Sequence, residues 1–491
     1  MPEFRKRGYI NFLMLLRVIG WLLTIEAIFM FAPCIVGFFY DEHSGIQFLI
    51  CIGITLGSGI GMVSLRPRSR EMGKREAIIL TGLTWVVLSA FGMLPFLFCG
   101  THLSVTDAFF ETMSGFTTTG ASVLDSLHGV PHSILLWRCV VQWIGGLGII
   151  LFTLAVLPML NYQGGMQLFN AEVTGITHDK LRPRVSFTAQ SLWGVYLILT
   201  LICIGLLCFS ELSIFEAVCY GLSTMSTGGF ATQDSSVSEL GDLYIKVILI
   251  IFMFMGGVNF SLLYKLVTGK FKEFFRNEVI RWYIILIFAF AIILALNVLV
   301  TGLMENWEDV TIDPLFQTVS LITSTGLVEP DFYDWGALPV VLLIIMMTMG
   351  ACAGSTSGGA KLDRFVVTFK FIRNEFHKLM HPNAVTTVTL NGKGTPSPII
   401  MKTLAFLFLY IIVVMIGGTL MVLIGLPLKD GFFVSLSAVS NTGLGTDITG
   451  LNGNFANIPD IGKWIISLLM LVGRLELFTI LILFFPSFWR K

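Results

Sequence analysis

Ten stretches of about 20 mostly apolar residues recur along this chain, and each is long enough to cross the hydrocarbon core of a membrane as a helix. They lie near 10–39, 46–65, 77–99, 135–160, 191–210, 243–266, 280–301, 338–360, 398–425 and 462–486. Charged residues make up 13% of the chain, against about 25% in soluble domains, and mean hydropathy is +0.83. That excludes a soluble enzyme, a disordered tail, a nucleic-acid-binding surface and a coiled coil. The expected fold is an all-α polytopic membrane protein. The stretch at 10–39 is too long for a signal-peptide core and no small-x-small cleavage site follows it, so it reads as the first span. The eight cysteines are scattered without a CxxC, which is the pattern of small buried residues.

Charge orients the spans. Lys and Arg cluster in alternate connections: Arg5 to Arg7, Arg66 to Arg75, Lys180 to Arg184, Lys265 to Arg281, Lys361 to Lys378, and the terminal Arg490 and Lys491. By the positive-inside rule these face the cytoplasm, and both termini with them. The opposite side holds only Arg138, Lys246, Lys429 and Lys463, with many acids, among them Asp107, Glu111, Asp125, Glu216, Asp234 and Asp313. An acidic rim either concentrates cations or is simply solvated.

Between members of the last eight spans lie semi-apolar segments of 10–14 residues, too short to cross and readable as re-entrant half-helices. They share one pattern. Phe110, Phe316 and Phe433 each precede a glycine by ten positions, and Ser114, Ser320 and Ser437 precede the same glycine by six. The endings are Thr117-Thr118-Thr119-Gly120, Thr323-Ser324-Thr325-Gly326 and Ser440-Asn441-Thr442-Gly443. The second copy, Ser226-Thr227-Gly228-Gly229, has Cys219 for the Phe and can be registered on Gly228 or Gly229. Only Gly229 keeps Ser223 in place. The span after each ending carries small residues midway: Gly145-Gly146, Gly256-Gly257, Gly350 to Gly354, and Gly473. A lone Thr-Thr-Gly is a helix cap; two linked features recurring four times make four homologous units. The expected segments are an N-terminal two-helix hairpin at 1–70 and repeats at 71–170, 171–275, 276–375 and 376–491.

The chemistry follows from the turns. A half-helix entering from outside directs its negative C-terminal end to the membrane centre, and the extended turn after it offers backbone carbonyls. Glycine permits the unusual dihedrals that aim them. Such carbonyls replace the hydration shell of a monovalent cation, whereas a calcium filter calls for acidic rings. None of the three residues before each glycine is Asp or Glu. Carbonyl chemistry alone does not choose K⁺ over Na⁺.

Four quotable motifs add a resemblance: Gln142-Trp143-Ile144-Gly145-Gly146-Leu147-Gly148, Ser226-Thr227-Gly228-Gly229-Phe230, Met255-Gly256-Gly257-Val258-Asn259-Phe260 and Ala353 to Lys361. With the four-repeat layout and two extra N-terminal spans, the chain resembles the Trk/Ktr/HKT superfamily of potassium transporters, and within it the TrkH/TrkG branch. The resemblance implies K⁺ uptake across the bacterial inner membrane, with K⁺ preference marked by Gly120. It also implies a homodimer docked on a cytosolic nucleotide-binding regulatory subunit, TrkA-like. K⁺ is then the transported ion, with no organic cofactor on this chain. Carriage coupled to H⁺ or Na⁺ is the alternative to a channel-like path.

Two features suggest a gate. Arg474 lies inside an apolar span, where an arginine costs roughly 2.5–3.5 kcal/mol to insert and is a functional candidate. Its small-residue position in the other repeats carries no charge, and Glu476, two residues on, does not face it. The run Gly350, Gly354, Ser355, Gly358, Gly359 up to Lys361 is poor in helix propensity; it should unwind into a movable loop across the inner pore, and the resemblance implies the same. The run is no P-loop, since Ala360 separates Gly359 from Lys361 and Leu362 follows. Glu26 is an isolated acid in the first span, either paired within the bundle or marking an ion or proton path. No triad, paired carboxylates or cofactor box occurs, so an enzyme is not expected.

Overall fold

The computed structural model describes residues 10–67, 72–101, 103–146, 148, 185–234, 243–302, 306–328, 335–446, 449 and 454–490. The protein is mostly helical. Asn11 caps the start of α1 (Phe12–Phe29), its side chain accepting from the Met14 amide at 3.3 Å. Helix α2 (Phe31–Phe39) continues it after a break at Met30, and the pair folds back through α3 (Ser44–Val63). This is the N-terminal hairpin.

The first of the four segments comprises α4 (Lys74–Gly92), α5 (Leu94–Phe98), α6 (Val105–Phe116) and α7 (His132–Gly146). The second comprises α8 (Val185–Leu207), α9 (Ile214–Ser226), α10 (Leu243–Gly256), α11 (Phe260–Val267) and α12 (Phe271–Arg276). The third comprises α13 (Glu278–Thr301), α14 (Trp307–Ile322), α15 (Ala337–Met349) and α16 (Leu362–Met380). The fourth comprises α17 (Ser397–Leu423), α18 (Leu428–Ser440), α19 (Asp460–Arg474), α20 (Phe478–Leu481) and the terminal α21 (Pro486–Trp489). Helix α16 runs through position 375, where the sequence reading draws a boundary, and the boundary at 170/171 lies outside the described residues.

Among the described residues, six helical stretches are long and apolar enough to cross a membrane: 12–39, 44–63, 74–98, 188–207, 278–301 and 397–423. Helix α13 shows how such a span sits. Val279, Ile280, Tyr283, Ile287, Leu294 and Val298 are buried, while Ile285, Phe288, Ile292, Leu296 and Leu299 are exposed. Both faces are apolar, so the exposed stripe suits lipid, not water. The short helices differ: α6 is buried from Ala108 to its end at Phe116.

The spans expected at 243–266 and 462–486 are bent. Helix α10 turns 110° into α11, and α19 turns 114° into the helical residues after it. Helix α15 stops at Met349 after 13 residues. The bends fall at the small-residue positions. The all-α reading also omits one element: strands Thr389–Leu390 and Lys393–Gly394 pair antiparallel. Asn391 and Gly392 between them have φ of 53° and 76°, the two-residue Asn-Gly turn whose twist matches a hairpin.

Candidate functional site

The four hydroxyl-rich turns share one backbone path. Helices α6, α9, α14 and α18 each end in a residue with left-handed φ: Thr118 at 52°, Thr227 at 53°, Ser324 at 52° and Asn441 at 52°. Two positions on, Gly120, Gly229, Gly326 and Gly443 have φ of 83°, 81°, 76° and 74°. The intervening amide bonds back to the conserved-spacing serine: Thr119 to the Ser114 carbonyl (2.8 Å), Gly228 to Ser223 (3.0 Å), Thr325 to Ser320 (2.9 Å) and Thr442 to Ser437 (3.0 Å). This is the Schellman arrangement, which satisfies the last carbonyls of a helix. It also places the second turn in register on Gly229. A β-branched residue such as Thr118 or Thr227 is disfavoured at positive φ, and such strain, of order 1–3 kcal/mol each, clusters at functional sites.

The turns come together in a ring. A Cβ on Gly120 would strike the Gly228 carbonyl oxygen; on Gly229, that of Thr325; on Gly326, that of Thr442; on Gly443, that of Thr119. All four approaches are well inside 3.0 Å, closer than real Cβ atoms come. Each turn thus abuts the next in chain order, and the fourth closes onto the first. Residues 117–119, 226–228, 323–325 and 440–442 are buried, at 1% exposure or less for the Thr, Ser and Asn among them. The same four glycines line one cavity of about 320 Å³, whose wall includes Asp125, Arg138, Phe230 and Asp234.

Three of the acids expected outside are paired. Glu111 pairs with Arg138 at 2.8 Å, with exposures of 0% and 3%. Asp313 pairs with Lys246 at 2.7 Å, and Asp107 with Lys463 at 2.5 Å. So three of the four bases expected outside pair with acids, while Asp125 and Asp234 lie on the cavity wall, where Asp234 accepts from the Ser126 hydroxyl and the Leu127 amide. Arg138 also lies 4.1 Å over the Phe230 ring, bracing the second turn. Glu111 accepts from the Val123 amide at 2.9 Å, which holds the strand-like exit from the first turn.

The 350–361 segment is irregular, with Gly350, Gly354 and Gly359 at φ of 63°, 74° and 72° and Lys361 at 73°. It hydrogen-bonds to three of the turns. The Gly359 amide donates to the Ser440 carbonyl at 2.9 Å. The Gly358 amide donates to the Ser324 hydroxyl at 2.5 Å, and the Thr356 and Thr227 hydroxyls meet at 3.2 Å. Ser355 bonds to the Cys352 carbonyl at 2.6 Å and contacts Ser357 at 2.9 Å. Lys361 donates to the Ser357 carbonyl. Arg474 donates to the Thr356 carbonyl at 2.7 Å and to those of Gly145 and Gly146 at 2.7 and 2.5 Å. It therefore joins the segment to the end of α7. Glu476 pairs with Arg364 at 2.5 Å; the helix ends at Arg474 and Glu476 has φ of 52°, so the turn after the helix, and not a helical offset, sends the two side chains to different partners.

A ring of backbone carbonyls between a cavity and a glycine-rich segment invites comparison with transport proteins. The family described as TrkH, cation transport protein, matches residues 47–491. The chain belongs to the TrkH family. The Trk system potassium uptake protein TrkH of Salmonella typhimurium is 35% identical over 98% of this chain and 100% of its own length. The Trk system potassium uptake protein TrkG of Escherichia coli is 31% identical over 96% and 97%. The crystal structure of the potassium transporter TrkH from Vibrio parahaemolyticus has a TM-score of 0.88 at 32% identity, covering 98% of this chain and 100% of that one.

Three contacts in this TrkH-family chain escape a reading of the sequence: Ser324 as an anchor of the 350–361 segment, Asn259, whose amide donates to the Ala353 carbonyl at 2.6 Å, and Gln142. Gly228, standing where the other turns have Thr, is the one signal that something else fills its space. Glu26 is buried at 3%, with its carboxyl beside Gly92.

Proposed function

We propose that this chain carries K⁺ inward across the bacterial inner membrane through one pore, made by four span–half-helix–turn–span repeats and ten spans in all, with both termini cytoplasmic. The observation that carries the reading is the closed ring, in which each glycine faces a carbonyl of the next turn. Residues 117–120, 226–229, 323–326 and 440–443 are the selectivity filter, and their carbonyls replace the hydration shell of the ion. Exposed backbone at membrane depth is tolerated where it lines such a path.

Below the filter, residues Gly350 to Lys361 form the gate, and Arg474 adds a positive charge that a cation must pass. The names of the relatives, Trk system potassium uptake proteins, support K⁺ as cargo. They also support assembly with further components, for which a second copy and a cytosolic nucleotide-binding regulatory subunit are the proposed partners.

The test is K⁺ and Na⁺ flux into proteoliposomes for Gly120→Ser and Gly326→Ser. Each adds a Cβ at positive φ against a carbonyl of the ring. Relative Na⁺ entry should rise in both. An unchanged preference in folded protein refutes the filter assignment.

A further inference from the structure

Turns one, three and four share a brace that turn two lacks. In them the residue before the glycine is Thr, and its hydroxyl meets the hydroxyl two positions earlier: Thr119 with Thr117 at 2.8 Å, Thr325 with Thr323 at 2.7 Å, Thr442 with Ser440 at 3.1 Å. The equivalent residue of turn two is Gly228, which has no side chain. Its space is filled from another element. A Cβ on Gly228 would meet Cδ, Oε1 and Nε2 of Gln142, all within 3.0 Å.

Gln142, on α7, is fully buried. Its Nε2 donates to the Gly228 carbonyl at 2.7 Å. Its Oε1 accepts from the Ser223 hydroxyl at 3.0 Å and from the Phe230 amide at 3.2 Å. One side chain therefore holds the start, the ring carbonyl and the exit of turn two. The Gly228 carbonyl is the one that Gly120 faces, and the corresponding carbonyls of Thr119, Thr325 and Thr442 accept no such bond among the described residues.

We infer that Gln142 is a positioning residue for cation preference: it replaces the missing threonine of turn two and makes one of four ring carbonyls a weaker, more rigid ligand. An oxygen already accepting a strong hydrogen bond has less electron density for a cation, and a braced turn cannot close around a smaller ion. Without Gln142 the second turn is free to move inward, and the smaller Na⁺ gains. This rests on reading the ring as the ion path.

The experiment measures K⁺ and Na⁺ influx into proteoliposomes containing the full chain. Gln142→Ala should raise Na⁺ entry relative to K⁺ at least threefold. Gly228 has ordinary φ, and the nearest atoms to a Cβ there all belong to Gln142. The double variant Q142A/G228T should therefore return the ratio to that of the parent. Gln142→Met keeps the volume without the polar atoms and takes the same measurement if Q142A does not fold. A parental ratio in folded Q142A or Q142M overturns the inference, as does a folded double variant that fails to restore it. Gly120→Ser is run in parallel. If it leaves the ratio unchanged, the ion-path reading fails; if it shifts the ratio and Gln142 variants do not, only the role of Gln142 fails.

Discussion

Replacing Arg474 by Ala removes two things whose sizes can be worked from the geometry. The guanidinium bond to the Thr356 carbonyl, at 2.7 Å, ties the 350–361 segment to the bundle. Hydrogen bonds from a charged donor contribute about 1.5–3 kcal/mol. Losing that amount shifts a closed–open equilibrium by about tenfold to a hundredfold. On the proposed ion path, the positive charge would also oppose a passing cation. At an effective dielectric constant of about 20, two unit charges about 4 Å apart repel by about 4 kcal/mol. Both effects have the same sign, so Rb⁺ or K⁺ influx into proteoliposomes should rise by at least tenfold in Arg474→Ala. Arg474→Lys separates them: it keeps the charge but not the planar fork that reaches Thr356, Gly145 and Gly146 together. Its flux should lie between those of the parent and the alanine variant. An alanine variant that elutes as folded protein yet conducts no faster than the parent refutes the reasoning, and Arg474 is then a structural clasp.

Ser324→Ala removes the single hydroxyl acceptor of the Gly358 amide. A neutral bond contributes about 0.5–1.5 kcal/mol, so basal flux should rise by less than in Arg474→Ala, and a decrease would argue against the segment as a gate. Arg138→Ala leaves Glu111 buried without its partner, which costs about 3–5 kcal/mol. The thermal midpoint in detergent should fall sharply, and adding Glu111→Gln should recover much of it. Glu42, between α2 and α3, is pushed up by burial, but the His132 and Ser133 amides, the Ser44 hydroxyl and the His132 ring together hold its carboxyl below the usual range. A lowered folded value stabilises above the unfolded pKa, and that contribution is lost as pH falls through the folded one. Glu42→Gln should therefore lower the midpoint near neutral pH and flatten its fall on acidification; equal slopes for parent and variant would sink this.

Much of the site is legible in the residues because its parts are local. Thr117 to Gly120 and its three counterparts encode a helix, a left-handed residue and a glycine, and each of those preferences acts within a few positions of the chain. The recurrence of Ser223 six residues before Gly229 was enough to choose the register that Thr227 and Gly229 adopt. The irregularity of 350–361 follows from glycine content in the same way. The outer acids show the opposite case. Asp107, Glu111 and Asp313 read as a free rim because nothing local reveals that Lys463, Arg138 and Lys246 reach them from other helices.

The residues alone therefore determined the mostly helical, apolar character of the chain and the conformation of the four turns, which follow from hydropathy and from dihedral preferences within one turn of chain. Tertiary structure decided that the turns close in the order one to four, that Gln142 fills the space beside Gly228, and that Arg474 meets Thr356, Gly145 and Gly146. Those partners are distant in sequence: 118 positions separate Arg474 from Thr356 and 86 separate Gln142 from Gly228. Contacts of that separation depend on how whole helices pack, and side-chain identity specifies them only after the packing is known.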